Sequence, residues 1–252
     1  MQNGEIEVSV IMPAYNAEKH IARAIESVLE QKASLELIVI DDCSTDKTAA
    51  IVEEYCRKKD SPVKLVLNQS RQGPAEARNI GIRQARGKYI AFLDADDWWS
   101  REKLQVQLPF LKAHGGILCY TGRELMHSDG STTGRIVQVP EKVTYEMLLR
   151  TNSIPCSSVL MRTEVAREFY MTHDELHEDY ILWLKILKKY KEAYGMNEPM
   201  LKSRLSENGK SRNKLKSARM QYGVYRLLGI GRWRALGYFV QYAWNGIRKY
   251  YY

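Results

Sequence analysis

The chain has 252 residues, 44% of them hydrophobic, which is enough for one substantial core and a smaller appendage. Its four cysteines are far apart and form no CxxC pair, so neither a zinc site nor a disulfide framework is predicted. The absence of a P-loop and of a GxGxxG motif after the first strand argues against P-loop enzymes and dinucleotide dehydrogenases. The net charge of +8 is uneven, because residues 201–252 hold 12 Lys/Arg against one acid, Glu207.

Short apolar runs alternate with amphipathic segments over the first hundred residues. Strands are predicted at Val8–Met12, Leu37–Ile40, Val63–Leu67 and Tyr89–Leu93. The intervening segments predict helices over Ala17–Gln31, around Ile51–Tyr55 and over Pro74–Ala85. Pro13 is expected to end the first strand, because proline cannot donate to a sheet ladder. This alternation predicts an α/β fold with a mostly parallel central sheet flanked by helices.

The second half of the chain has a looser pattern. It predicts a helix over Arg101–Ala113, a strand over Ile117–Tyr120, a hairpin tip at Ser128–Ser131 and a helix over Glu178–Tyr190. After Asn208-Gly209 the composition becomes basic and aromatic. We therefore expect a catalytic domain over 1–207, with a nucleotide-binding half (1–99) and an acceptor half (100–207), followed by a helical extension over 208–252.

A carboxylate cluster, Asp94-Ala95-Asp96-Asp97, directly follows the fourth predicted strand. Clustered carboxylates at a strand end repel one another unless a cation lies among them. Hard oxygen ligands select Mg²⁺ or Mn²⁺, which neutralise the charge of a departing diphosphate. A lone DxD more often caps a helix or forms a solvated turn, so the metal site depends on the surrounding pattern.

The surrounding pattern resembles the family 2 glycosyltransferases, which have a GT-A fold, over roughly residues 8–215. The resemblance is carried in order by residues 8–16 (VSVIMPAYN), 40–46 (IDDCSTD), 73–81 (GPAEARNIG), 89–97 (YIAFLDADD) and 177–180 (HEDY). It implies an inverting, metal-dependent hexosyl- or N-acetylhexosaminyltransferase that uses a nucleotide diphosphate sugar, with a uridine diphosphate sugar as the default donor. Surface polysaccharide or lipopolysaccharide assembly is the expected setting.

The resemblance also implies roles for individual residues. Pro13, Ala14 and Tyr15 would line the base pocket, and Asp42 would accept a base N–H. Arg78 would lie beside the base or phosphates, Asp94 and Ala95 near the ribose, and Asp96 with Asp97 at the Mn²⁺ or Mg²⁺ ion. Trp98 is expected to contact donor or acceptor, although core packing is an equal alternative. Residues 211–214 (SRNK) are a poor match to a segment that closes over the diphosphate in relatives, with Arg212 or Lys214 as phosphate ligand.

Glu178 and Asp179 open the late predicted helix. An inverting transfer needs one carboxylate that takes the acceptor's hydroxyl proton, and by the resemblance that base is Asp179, with Glu178 orienting it or the acceptor. Without the other segments, two acids at this position would be ordinary capping residues. A helix N-terminus favours the ionised acid, which limits its basicity.

The basic tail predicts an amphipathic helix over Arg232–Tyr252. Its apolar residues recur every three or four positions at Trp233, Leu236, Val240, Trp244 and Ile247. One interpretation is a cytoplasmic protein in peripheral contact with the anionic inner face of the cell membrane, where a glycan or lipid-linked acceptor would be met. The others are packing on the domain or on a dimer partner and, in a different function class, nucleic-acid binding. A sugar nucleotidyltransferase is the enzymatic alternative. The sugar, the linkage and the oligomeric state are not determined by the sequence.

Overall fold

The computed structural model describes residues 5–205 and 214–251, with side chains of the last segment over 217–245. The first half alternates strands and helices as β1 (Val8–Ala14), α1 (Ile21–Leu29), β2 (Leu35–Asp41), α2 (Thr48–Cys56), β3 (Val63–Leu67), α3 (Pro74–Gln84) and β4 (Tyr89–Phe92). The strands β3, β2, β1 and β4 lie side by side in that order, all parallel. The predicted α/β fold with a mostly parallel sheet is confirmed.

The second half extends the same sheet. Its elements are β5 (Trp98–Trp99), α4 (Lys103–Ala113), β6 (Leu118–Met126), β7 (Thr132–Val137), β8 (Lys142–Thr144), α5 (Tyr145–Arg150), a 3₁₀ turn (Cys156–Ser158), β9 (Leu160–Arg162), α6 (Thr163–Glu168), α7 (Glu178–Tyr190) and β10 (Glu192–Arg204). Strand β9 inserts antiparallel between β4 and β6, and β10 pairs parallel with β6. The predicted hairpin tip joins β6 to β7.

Two apolar layers cover the two faces of the sheet. In β1, Val10 and Met12 face the layer that contains α1, α2 and α4, whereas Ile11 faces the layer that contains α3 and α7. This alternation is the period of two expected of a strand buried on both faces. Helix α3 lies very close to the sheet at Gly81, where a Cβ would be 2.4 Å from a side-chain carbon of Ile11.

The prediction that Pro13 ends the first strand is wrong. Strand β1 continues to Ala14, and Pro13 pairs with Ile40 of β2. The Ile11 carbonyl accepts from the Leu93 N–H, so the backbone polar groups of Ile11 point toward β4. Backbone direction repeats every two residues in a strand, so the nitrogen of Pro13 also points toward β4. Pairing with β4 stops at Ile11, and no ladder bond is lost where proline lacks its N–H. The first helix is also shorter than predicted, since it begins at Ile21 after a turn.

The basic tail forms α8 (Lys214–Leu227) and α9 (Arg232–Tyr251), separated by Gly229 with φ +75°. Both helices contribute to the core layer around α7, with Val224, Tyr225 and Ala235 buried. The predicted amphipathic helix is present, and its packing on the domain agrees with one of the three interpretations above. The predicted boundary at 207/208 stays a prediction. The side chain of Ile247 lies outside the described residues.

Candidate functional site

A cleft of about 830 Å³ opens at the carboxyl ends of β1, β2 and β4, the edge where α/β sheets bind ligands. Nine of the residues singled out in the sequence line it: Pro13, Ala14, Tyr15, Asp42, Arg78, Asp94, Ala95, Asp96 and Glu178. A second cavity of about 200 Å³ adjoins it and is lined by Asp97 and Asp179. Asp94 lines both cavities. The two spaces therefore meet at the Asp94 carboxylate.

Tyr15 lies at the mouth of the large cleft, 40% exposed. It is held there by the next residue, Asn16, whose left-handed backbone (φ +48°) turns the chain sharply after β1. The Asn16 side-chain oxygen accepts from the Thr45 N–H at 2.9 Å and so ties this turn to the loop after β2. The guanidinium of Arg71 stacks 3.9 Å from the Tyr15 ring centroid. Tyr15 and Arg71 together offer a flat surface for an aromatic base.

Asp42 is buried beneath this surface and organises the loop between β3 and α3. Its two oxygens accept from the backbone N–H groups of Gln72 and Gly73, each at 2.8 Å, and from the Asn68 amide at 2.8 Å. A carboxylate offers about four acceptor positions, so these three bonds leave about one for a ligand N–H. The structure thus shows Asp42 as a loop organiser that also faces the cleft.

Gly73 starts helix α3 in a conformation that only glycine adopts readily, with φ +89°. A Cβ at this position would lie 2.2 Å from the Asp174 carboxylate. That carboxylate accepts from the Ala75 N–H at 2.8 Å, in the first turn of α3. The loop before α7 therefore packs directly on the start of α3, which explains the glycine.

Arg78 projects from α3 into the wall between the two cavities and is almost fully buried. One guanidinium nitrogen is 2.6 Å from Asp94, and another is 3.2 Å from Glu178. Buried charges of this kind are tolerated when they are paired and hydrogen-bonded. Arg78 therefore joins the carboxylate after β4 to the carboxylate that opens α7.

The two predicted metal ligands diverge in the structure. Asp96 faces the large cleft, and its pKa is raised to about 6 by burial and by the charge of Asp94. Asp97 faces the small cavity and accepts from the backbone N–H of Arg204 at 2.9 Å. Within the described residues, no three His, Cys, Asp or Glu side chains form a metal-binding group. Asp96 and Asp94 nevertheless fit a divalent cation, because their two carboxylates face one cleft and repel each other, although Arg78 pairs with Asp94.

Asp179 occupies the first turn of α7, where its carboxylate accepts from the Tyr180 N–H at 2.7 Å. Burial and the neighbouring charge of Glu178 raise its pKa to about 6, although Arg78 opposes that rise. From the sequence, the helix N-terminus was expected to favour the ionised acid and limit its basicity. In the structure, burial and Glu178 outweigh the helix terminus, so Asp179 is a stronger base than that argument predicts.

Trp98 lines neither of the two cavities. It is 7% exposed, and the guanidinium groups of Arg23 and Arg204 lie 3.5 Å and 5.1 Å from the centre of its ring. This placement matches the core-packing alternative considered for Trp98. A sugar contact by Trp98 stays a prediction.

Basic residues that were not singled out from the sequence line the large cleft. Lys19 and His20 precede α1, and Arg204 closes the opposite side, where it donates to the carbonyl of Ser128 at 2.5 Å. Burial and the nearby charge of Arg204 lower the pKa of His20. Lys19 and His20 could have been found from the sequence, because they lie a few residues after the end of the first predicted strand. The predicted phosphate segment at 211–214, with Arg212 and the Lys214 side chain, lies outside the described residues.

Comparison with known proteins identifies the family. Residues 9–162, more than half of the chain, match the family described as Glycosyl transferase family 2. The chain belongs to this family. A putative teichuronic acid biosynthesis glycosyltransferase, TuaG of Bacillus subtilis (strain 168), is 38% identical over 251 residues, which cover 99% of each chain. The chain is therefore a glycosyltransferase, and the resemblance stated from its motifs is confirmed.

Two further relatives carry more detailed descriptions. An Escherichia coli protein, described as UDP-Glc:alpha-D-GlcNAc-diphosphoundecaprenol beta-1,3-glucosyltransferase WfgD, is 37% identical over 245 residues, covering 96% of this chain and 94% of that one. The crystal structure of Staphylococcus aureus TarS 1-349 in complex with UDP-GlcNAc superposes with a TM-score of 0.72 at 25% identity. That match covers 89% of this chain and 66% of the TarS chain. The GT-A fold predicted from the motifs is thereby confirmed.

Proposed function

We propose that this glycosyltransferase moves a sugar from a uridine diphosphate sugar to a hydroxyl of a glycan or lipid-linked acceptor, with inversion at the anomeric carbon. The observation that carries the proposal is that two cavities share Asp94 in their walls. The large cleft contains the flat surface of Tyr15 and Arg71, and the small cavity contains the carboxylate of Asp179. A volume of about 830 Å³ is of the size that encloses a small-molecule ligand. The descriptions of WfgD and TarS, which name UDP-sugars, support the choice of donor.

The base end of the donor lies between Tyr15 and Asp42 in this proposal. The Tyr15 ring and the Arg71 guanidinium supply the stacking surface, and the remaining acceptor position of Asp42 takes the uracil N3–H. A thymine base carries the same N–H, whereas guanine is larger. This geometry supports a UDP-sugar as the preferred donor and a TDP-sugar as the second choice. A preference for GDP-sugars would contradict the proposed base pocket.

The diphosphate lies between Asp96 and the cationic side of the cleft. Asp96, with Asp94 beside it, would hold Mn²⁺ or Mg²⁺, and the ion would supply Lewis-acid charge for the departing diphosphate. Asp97 takes no part in holding the ion here, because its carboxylate is turned toward Arg204 N–H and the small cavity. Lys19 and Arg204 carry positive charge at the large cleft and favour diphosphate binding independently of the ion.

The acceptor hydroxyl enters from the small cavity. Asp179 takes its proton while the hydroxyl oxygen bonds to the anomeric carbon, and the bond from that carbon to the diphosphate oxygen breaks with its electron pair. Cys156 also lines this cavity, but burial raises the pKa of its thiol, so the sulfur stays protonated and is a poor nucleophile. A direct displacement, with no covalent enzyme intermediate, is the mechanism that these groups support.

The family assignment favours glycosyl transfer over the nucleotidyl transfer considered from the sequence. The test is hydrolysis of UDP-, TDP- and GDP-sugars with and without Mn²⁺ by the wild type, Asp96→Asn and Asp179→Asn, with exposed Asp60→Asn as the matched control. We expect UDP release that needs Mn²⁺, strongly reduced turnover in Asp96→Asn and Asp179→Asn, and UDP binding retained in Asp179→Asn. A preference for GDP-sugars, or full turnover in Asp179→Asn, would overturn the assignment of base pocket or catalytic base. Proton NMR of the product tests inversion.

A further inference from the structure

Helix α9 presents an apolar ridge to solvent. Trp233 is 86% exposed, Leu236 47%, Val240 59% and Trp244 62%. Spacings of three, four and four residues place these side chains on one face of the helix. Single exposed apolar residues are ordinary on protein surfaces, but two tryptophans and two aliphatic residues in one row form a contiguous patch that marks an interaction site.

The opposite face of α9 is fixed to the domain. Ala235 is fully buried, and the Tyr238 hydroxyl donates to Glu146 at 2.8 Å. Further along, the Asn245 amide donates to the Arg150 carbonyl at 3.1 Å and to the Thr151 hydroxyl at 2.9 Å. The helix therefore cannot turn its ridge inward without breaking these contacts. The ridge has a set orientation relative to the catalytic cleft.

The segment that carries the ridge has charge of one sign. Residues 208–252 contain no Asp or Glu, and Arg226, Arg232 and Arg234 are exposed beside the start of the ridge. An apolar row with tryptophans, flanked by arginines, suits the interface of a bilayer, where indole rings sit at headgroup depth and guanidinium groups meet anionic lipids. None of the helices in the described part of the chain is long and apolar enough to cross a membrane.

We propose that the outer face of α9 docks on the surface of an anionic lipid bilayer, with Trp233 and Trp244 inserted at headgroup depth. Charge complementarity favours lipid over a second copy of this chain, since two copies would bring the same basic surfaces together. It also favours lipid over a nucleic acid, because the aliphatic Leu236 and Val240 occupy the centre of the ridge and offer no surface for base stacking. This docking would hold the small cavity near a lipid-linked acceptor, but the proposal does not depend on the donor or the acceptor.

The test is flotation of the full chain with vesicles of phosphatidylcholine alone or with phosphatidylglycerol added, at about 0.15 M ionic strength. We expect binding to the anionic vesicles only, weakened about tenfold or more by Trp233→Ser combined with Trp244→Ser. Ile136→Ser, which removes an apolar side chain that is 57% exposed on β7, is the control and should bind as the wild type does. Arg232→Gln with Arg234→Gln should reduce binding and its dependence on salt.

Tryptophan fluorescence locates the contact. The other three tryptophans, Trp98, Trp99 and Trp183, are 7%, 3% and 0% exposed, so quenching by brominated lipid would report on Trp233 and Trp244. Absence of vesicle binding, equal binding by the double tryptophan variant, or tighter binding to RNA than to vesicles at the same salt would each overturn the proposal. A dimer that the double variant dissociates, without vesicle binding, would assign the ridge to a second copy. UDP-sugar hydrolysis without vesicles should be unchanged in these variants, which separates this result from the proposed function.

Discussion

Replacing the proposed catalytic base should make the protein more stable while abolishing turnover. Asp179 has its pKa raised from 3.8 to about 6 by burial and by Glu178. For an acid with a raised pKa in the folded state, the unfolded state holds fewer protons between the two pKa values, so stability falls as pH rises from about 4 to about 6. The difference corresponds to about 3 kcal/mol, which is an upper estimate for the gain in Asp179→Asn at pH 7.5.

Urea denaturation at pH 7.5 and at about pH 4 measures this gain. We expect Asp179→Asn to unfold at a higher urea concentration than the wild type at pH 7.5, with most of the difference gone near pH 4, where the carboxyl is protonated in the folded state and about half protonated in the unfolded state. Exposed Asp60→Asn, which keeps a residue tolerant of φ +55°, should change neither value. A destabilised Asp179→Asn, or a gain independent of pH, would refute the electrostatic argument.

The same ionisation predicts the pH dependence of turnover. A base must be deprotonated, so kcat/KM should fall below about pH 6, the value to which the pKa of Asp179 is raised. An acid limb near pH 4 would indicate that the helix N-terminus dominates instead.

Three further substitutions test the site's construction. Arg78→Met removes the charge buried between two carboxylates and should cost about 3 kcal/mol in urea denaturation, against less than about 1 kcal/mol for Arg57→Met in an exposed pair. Gly73→Ala should destabilise the protein by at least about 1 kcal/mol more than Gly134→Ala, because both have positive φ but only Gly73 lacks space for a Cβ. Tyr15→Ala should weaken UDP binding in calorimetry about tenfold, whereas Tyr15→Phe should retain it; equal affinities would refute base stacking.

The large cleft, which we propose as the donor site, could be predicted from the sequence because its polar residues follow strand ends. Tyr15 and Asp42 come directly after strands of the parallel sheet, Asp94 follows β4 after one intervening residue, and parallel strands end at one edge. Local sequence therefore carries spatial information there. All three residues line the same cleft, as the motif resemblance implied.

Side-chain direction was not contained in that pattern. Asp96 and Asp97 are neighbours in sequence, yet one faces the large cleft and the other the small cavity. The backbone turns here, with the Asp97 N–H donating to the Asp94 carbonyl at 3.1 Å, and the sequence alone does not give the side-chain directions within such a turn. Arg71 was missed for a related reason, since its stacking on Tyr15 joins two loops far apart in sequence.

The small cavity was beyond sequence analysis because it depends on one inserted strand. Strand β9 runs antiparallel to β4, with Leu160 opposite Ala91, so the residues before β9 reach the edge where β4 ends. This brings the Ser157 hydroxyl within 3.1 Å of the Asp94 N–H and places Cys156 in the cavity wall. A three-residue strand gives almost no periodic signal. The proposed donor cleft is thus built by the regular βα alternation, whereas the proposed acceptor side is built by a reversal of strand direction. If that proposal holds, residues that select an acceptor are best sought in the segment 152–157, which precedes the reversed strand.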